Sequence, residues 1–153
     1  LGSVMPDYRI ETLDTSSPVL TSAAVTLLIN AFSQPERYST KRLHEELSGH
    51  TLPFYRQFFV AANRGEIIGI GGIKAADWAS NTHLLYLSAV SPEYRGHGIG
   101  RALVKARVDW VEANFRTGRI LVSTPKAKRF QDLGFVDVRK GFVEGRHLMM
   151  RRF

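Results

Sequence analysis

The chain has 153 residues, 44% of them hydrophobic and 23% charged, with a formal net charge of +7. These are the size and composition of one ordinary soluble globular domain, and no apolar run reaches the roughly 20 residues that a membrane-spanning helix needs. There is no cysteine, which excludes disulfides, cysteine nucleophiles and thiolate zinc sites; the five histidines are scattered without ligand spacing, so no metal site is expected.

Leu1-Gly2-Ser3 ahead of Met5 reads as a cloning remnant, which puts the native start at Val4 or Met5. The segment lacks the basic region and apolar stretch of a signal peptide, so a cytoplasmic setting is expected. Residues 8–13 alternate and predict a strand. Asp14-Thr15-Ser16-Ser17-Pro18 supplies caps and a proline suited to the first helical position. Leu20, Ala23, Ala24, Leu27, Leu28 and Ala31 then follow at helical spacing until Ser33-Gln34-Pro35. Ser39 caps a second, short helix, with Tyr38 and Leu43 placed as a hydrophobic staple, Leu43 and Leu47 on its inner face and Gly49 as its stop. Residues 51–57 are irregular, broken by Pro53. Residues 58–62, the Asn63-Arg64-Gly65 turn and residues 66–74 predict an antiparallel hairpin. Gly69, Gly71 and Gly72 in its second strand mark a bulge or a close approach. After a loop at residues 77–81, residues 82–90 are nearly all apolar and predict a strand buried on both faces.

The next helix carries one stripe of Ile99, Leu103, Ala106, Trp110 and Ala113 and a second of Val104, Val108, Val111 and Phe115. Arg101, Lys105, Asp109 and Glu112 hold its solvent side, and Thr117-Gly118 ends it. Residues 119–123 predict a short buried strand. Thr124 as N-cap and Pro125 as first residue start the last helix, which runs through Leu133 and closes at Gly134. Residues 135–139, a turn region at 141–145 and residues 147–153 finish as a hairpin. The order β-α-α-β-β-β-α-β-α-β-β is that of a mixed α/β (α+β) sheet flanked by helices. No repeat or linker marks a boundary, so residues 1–153 are expected to form one domain.

The chemistry concentrates in Val90-Ser91-Pro92-Glu93-Tyr94-Arg95-Gly96-His97-Gly98-Ile99-Gly100-Arg101, where a strand pattern runs into a helix pattern. The start of a helix has N–H groups without intrahelical partners and the positive end of the peptide dipoles. Glycines permit positive φ and leave no side chain between those groups and a ligand. Arg95 adds a guanidinium at the rim. The stretch reads as a cradle for phosphates. It contains neither G-x-x-x-x-G-K-[ST] nor G-x-G-x-x-G. Either nucleic acid or a polyanionic small molecule such as coenzyme A would account for the positive charge, although an ordinary solvated basic surface covers most of the excess in either case. No long basic block interleaves with aromatics, so no nucleic-acid partner is expected.

Residues 87–103, L-S-A-V-S-P-E-Y-R-G-H-G-I-G-R-A-L, closely resemble the acyl-CoA-binding motif of the GNAT superfamily of N-acetyltransferases. Phe130-Gln131-Asp132-Leu133-Gly134-Phe135 is similar to that family's closing F-Y-E-K-L-G-F. The resemblance implies a GNAT-like fold, its mostly antiparallel sheet splayed between two central parallel strands. It implies acetyl-CoA as co-substrate, with Ala89, Val90, Arg95, Gly96, His97, Gly98, Ile99, Gly100, Arg101, Ser123 and Phe130 in contact with it. It also implies a small-molecule or peptide amine as acceptor, and a monomer or homodimer. The backbone N–H near Val90 would stabilise the developing oxyanion. The early helices would shape the acceptor site, which makes Tyr38, His44, Glu45, Tyr55 and Arg56 candidate contacts, although each also fits ordinary surface or packing. Lys126 and Lys128 are candidates for the nucleotide end, although they fit an ordinary solvated helix face equally well.

The proton-transfer set departs from the family. The strand glutamate expected four or six residues before the valine is Tyr86 or Leu84. The tyrosine expected as general acid is Phe130, and an asparagine at the end of the preceding strand is Ser123. Tyr86 and Ser88, read as sharing a strand face, are the candidates to order a water; Tyr94, His83, Asp77 and Glu45 are further ones. The expected activity is acetyl transfer to an amine. An acyl-CoA-binding sensor with little or no transferase activity is the alternative, and a basic binding module ranks behind both.

Overall fold

Strands with two apolar faces need cover on both sides, and that requirement dictates the layers. In the computed structural model, which describes residues 7–48, 54–138 and 145–153, seven strands form one sheet. In chain order the elements are β1 (Arg9–Thr12), α1 (Pro18–Phe32), α2 (Thr40–Leu47), β2 (Arg56–Asn63), β3 (Glu66–Ala75), β4 (Thr82–Val90), α3 (Ile99–Asn114), β5 (Arg119–Thr124), α4 (Ala127–Gln131), β6 (Val136–Asp137) and β7 (His147–Arg152). A 3-10 turn, Pro92–Tyr94, joins β4 to α3. The sheet order is β1-β2-β3-β4-β5-β7-β6, antiparallel throughout except for the parallel pair β4 and β5. The expected mixed, mostly antiparallel α/β sheet flanked by helices is therefore the one found.

Successive residues of a strand face opposite sides. Along β2, Phe58 and Val60 join Leu28, Leu43, Leu47 and Ile70 under α1 and α2. Phe59 and Ala61 join Ile68, Ile73, Leu103, Val108 and Val111 under α3. The predicted caps are in place: the Ser17 hydroxyl accepts from the Leu20 N–H and the Ser39 hydroxyl from the Arg42 N–H, each at 3.2 Å. No helix among the described residues is long and apolar enough to cross a membrane, and none of their side chains cluster as a metal site.

Four expectations need correcting. The inner face of α1 is Thr21, Ala24, Val25, Leu27 and Leu28, with Ala23 exposed, because the buried stripe is set by what α1 packs on rather than by its alanines. The inner face of α3 holds Arg107 among Leu103, Val104, Val108 and Val111, while Ala113 is exposed. Strand β4 is buried on both sides only at its start: Thr82, His83 and Leu85 are buried, whereas Ser88 is exposed. Helix α4 begins at Ala127 rather than Pro125, since Lys126 has non-helical dihedrals; the Thr124 hydroxyl still accepts from the Lys126 N–H at 3.0 Å. The expected stop at Gly49, the break at Pro53 and most of the 141–145 turn lie outside the described residues.

Candidate functional site

The site begins where β4 and β5 part. Their ladder pairs are Thr82↔Arg119, His83↔Ile120 and Leu84↔Leu121, so the last six residues of β4 lie beyond the shared ladder. On its other edge β4 stays bonded to β3 through a bulge: Ile70 pairs with Ala89 and Gly72 with Tyr86, three steps against two, with Leu87 at φ 49°. The Ser91 N–H donates to Ile68 O at 2.8 Å on the β3 side. Successive N–H groups of an extended strand point to opposite edges, so the Val90 N–H points towards the gap. Ala89 precedes it on the same open stretch.

The cradle follows. Gly96 and Gly98 have φ of 84° and 79°, and a Cβ built on either would meet nothing within 4 Å. Gly98 is the N-cap of α3, without a side-chain cap bond, and its carbonyl accepts from the Ala102 N–H. The N–H groups of Gly98, Ile99, Gly100 and Arg101 therefore form a first helical turn with no intrahelical acceptor. Ile99 is 1% exposed and anchors that turn in the core. His97 is partly buried between the two glycines. The Arg95 Nε donates to Val90 O at 3.1 Å, tying the rim of the cradle to the strand end.

Cations crowd this helix start. The Arg129 guanidinium lies against Gly100, whose Cβ would come within 2.6 Å of Nη1. Burial, then the charge of Arg101, pull Arg129 down; Arg129, burial and Arg95 pull Lys126 down. One carboxylate, Asp132, answers Arg101 at 3.1 Å and Lys128 at 3.7 Å. Such like-charge crowding at the positive end of a helix is relieved by a polyanion. Arg129 is a site residue that the sequence alone does not single out; its place beside Lys126 and Lys128 in one small basic cluster is the available signal.

The residues considered for proton transfer are not together. Tyr86 faces α1 and α2, where its hydroxyl donates to Glu46 Oε1 at 2.7 Å. Ser88 faces α3, where its hydroxyl accepts from Arg107 Nη1 at 3.0 Å. The bulge at Leu87 breaks the alternation, so the two do not share a face. Ser123 accepts from Arg146 through both its hydroxyl and its carbonyl, at 3.1 and 2.7 Å. Phe130 is 5% exposed and packs edge-on against Phe135, so it serves the core of α4. Of the acceptor candidates, Arg56 sits 3.6 Å from Glu46, Tyr38 packs on Phe32, and Glu45 is exposed. His44 is partly buried on α2. Tyr94 is partly buried against the α3-side core.

Tyr55, His83 and Asp77 gather at the opposite end of β4, around a cavity of about 500 Å³ that Trp78 and Phe115 also line. A nine-residue strand puts that end roughly 25–30 Å from the cradle. The Tyr55 hydroxyl lies 2.6 Å from His83 Nδ1, and burial pushes the phenol up, so it keeps its proton and donates. Burial also holds the His83 imidazole below its ordinary 6.5, and His83 Nε2 is buried without a partner among the described residues. The unfolded chain thus takes up a proton in acid that the folded chain refuses. Stability contributed by neutral His83 is present above 6.5 and lost as the pH falls below it. His83→Gln keeps an acceptor for Tyr55 but does not titrate. Urea midpoints across that window are expected to fall more steeply for the wild type than for His83→Gln; parallel curves would refute the assignment.

A family model described as the acetyltransferase (GNAT) family matches residues 23–135. No curated protein gives a significant match. Among solved structures, Escherichia coli ElaA superposes with a TM-score of 0.77 at 14% identity, over 95% of this chain and 99% of that one. An aminoglycoside 6'-N-acetyltransferase complexed with coenzyme A gives 0.75 at 18% identity, over 94% and 96%. The ribosomal-protein-S18-alanine N-acetyltransferase from Escherichia coli gives 0.72 at 16% identity, over 95% and 94%. At such identities the likeness is one of fold.

Proposed function

The chain belongs to the acetyltransferase (GNAT) family, and from that premise we propose that it is an N-acetyltransferase, carrying an acetyl group from acetyl-CoA to an amine that attacks directly while both substrates are bound. The observation that supports this most is the first turn of α3, bare of side chains at Gly96 and Gly98 and ringed by Arg95, Lys126 and Arg129, at the end of a strand that has parted from its parallel neighbour.

In this reading the amides of Gly98, Ile99, Gly100 and Arg101, with Arg95, Gly96 and His97, hold the diphosphate. Ala89 and Val90 offer backbone groups to the pantetheine arm, and the Val90 N–H donates to the reacting carbonyl oxygen. Ser123 lines the β5 wall through its pairing with Arg146, and Phe130 supports α4 from within. Acetyl-CoA supplies the activated acyl thioester. Fixing both reactants in one cleft replaces an encounter with a positioned approach. Residues 1–153 would act as one catalytic unit, in the cytoplasm, as a monomer or homodimer.

Acetyl-CoA present at about 100 times its Kd is expected to stabilise the fold by about 2.7 kcal/mol, read as a raised Tm. Thiol release is then followed across an amine panel: an aminoglycoside, a peptide with a free N-terminal alanine and an alkyl diamine. The first two are the acceptor classes named for structures of this fold. The second reading, an acyl-CoA-binding sensor, is favoured by Phe130, which places no hydroxyl where the family resemblance expects one. Stabilisation by acetyl-CoA without thiol release decides for the sensor. Salt-sensitive stabilisation by oligonucleotides alone would defeat both.

A further inference from the structure

The strand carboxylate expected from the family resemblance is absent, yet a carboxylate on α2 reaches the hydroxyl of the tyrosine that stands at that strand position. Tyr86 stands four residues before Val90, on the stretch of β4 beyond its last pair with β5. Its O–H donates to Glu46 Oε1 at 2.7 Å. With its hydrogen committed, the phenol oxygen has only lone pairs left to offer, and an amine or ammonium N–H is the donor that fits them. Arg56 Nε on β2 and Lys74 Nζ on β3 each lie 3.6 Å from Glu46 Oε1, and Lys74 Nζ is 4.4 Å from the Tyr86 ring centroid. Tyr55 is the remaining titratable group that acts on Tyr86. Burial, then the hydrogen bond and charge of Glu46, push the Tyr86 phenol far up, so it stays protonated. An ammonium brought here meets two cations and one carboxylate, and like charges disfavour its charged form. The Glu46 side chain is 23% exposed, which gives a proton a way out to water.

We propose that Tyr86 is the catalytic residue that accepts the acceptor amine's proton, and that Glu46 is the positioning residue that fixes the phenolic hydrogen and takes it in turn. The proposal rests on the transferase reading above. An ammonium N–H bond breaks and its proton goes to the Tyr86 oxygen; the phenolic proton passes to Glu46 and from there to water. The freed nitrogen lone pair forms the C–N bond to the acyl carbon as the C–S bond breaks. The sulfur leaves as thiolate and takes the second nitrogen proton, so ammonium plus acyl thioester gives amide, thiol and one released proton.

The test uses the panel amine that the wild type turns over fastest, with thiol release from acetyl-CoA as the readout. Glu46→Gln and Tyr86→Phe are each expected to lower kcat about 100-fold, with KM for acetyl-CoA unchanged. The double variant is expected to be no worse than either single one, because the two residues act as a unit. The deficit should shrink as the pH rises towards the amine's own pKa, where free amine no longer needs the relay; a merely structural role gives the same deficit at every pH. In the protein without ligands, the Tyr86 ζ-carbon NMR signal, assigned by its loss in Tyr86→Phe, should move on acidification in the wild type and stay still in Glu46→Gln. Full activity in Glu46→Gln, a pH-independent deficit, or a ζ-carbon signal indifferent to Glu46 overturns the relay alone. A wild type silent towards every amine overturns the transferase reading and the relay with it.

Discussion

Gly98→Val is expected to lower affinity for acetyl-CoA at least about 100-fold, measured by calorimetric titration, while the protein stays folded. The separation of the two effects follows from local geometry. At φ 79° a side chain is strained, which costs about 1–2 kcal/mol, a loss that a fold of ordinary stability survives. Nothing in the protein lies within 4 Å of the new Cβ, so there is no clash to propagate. The open space that the side chain enters lies at the N-cap of α3, beside the amides that the proposed function assigns to the diphosphate. A hydrogen bond to a charged group contributes about 1.5–3 kcal/mol, so losing two of them exceeds the loss that a 100-fold change requires. Gly98→Asn separates strain from obstruction, because asparagine tolerates the left-handed region. It is expected to fold like the wild type and still bind weakly. Wild-type affinity in both variants would mean that the diphosphate is held elsewhere.

This turn was legible in the sequence because its chemistry is local. Glycines, a proline and arginines within a dozen residues state both the backbone geometry and the charge. The sheet was legible for a related reason: hairpins and helix caps are short-range, and Ser17, Pro18, Ser39 and Gly65 act on their own neighbours. What stayed hidden depends on contacts between elements. Leu87 in the left-handed region gives no sequence signal, yet it turns Ser88 away from Tyr86. Arg107 reads as one more basic residue on a helix until packing turns it inward. Glu46 and Glu45 are adjacent and chemically alike. Only the placement of Leu43 and Leu47 on the inner face favours Glu46, three residues from Leu43 and next to Leu47, as the one brought to the sheet. Arg129 reaches the cradle because α4 packs its Phe130 into the core, a tertiary fact that the string Lys126-Ala127-Lys128-Arg129 does not state.

Arg107→Ala is expected to lower the free energy of unfolding by about 3 kcal/mol, and Arg107→Met to cost under about 1.5 kcal/mol, both from urea titration. Arg107 is 1% exposed, and no carboxylate among the described residues pairs with it. Its Nη1 donates to Gly72 O at 2.9 Å and to the Ser88 hydroxyl at 3.0 Å; its Nε donates to Leu103 O at 3.0 Å. Burial, with the charge of Arg129 adding to it, pulls the guanidinium down to about 9. The charge therefore opposes the fold while the length and the hydrogen bonds of the side chain support it. Alanine removes the volume and leaves the Gly72 carbonyl and the Ser88 hydroxyl without their donor. Methionine refills the volume and relieves the buried charge, which is why it is expected to recover most of the loss. Neither replacement restores the donor that joins the β4 bulge to β3 and α3. Faster amide exchange at Leu87 and Ser88 is therefore expected in Arg107→Met even where global stability is nearly that of the wild type. Gly71 completes the same arrangement, since a Cβ there would stand 2.5 Å from Arg107 Cζ. An Arg107→Ala variant as stable as the wild type, with unchanged exchange at Leu87, would show that the bulge keeps its shape without this side chain. The opposite orientations of Tyr86 and Ser88 would then have to be set by the β3–β4 pairing itself.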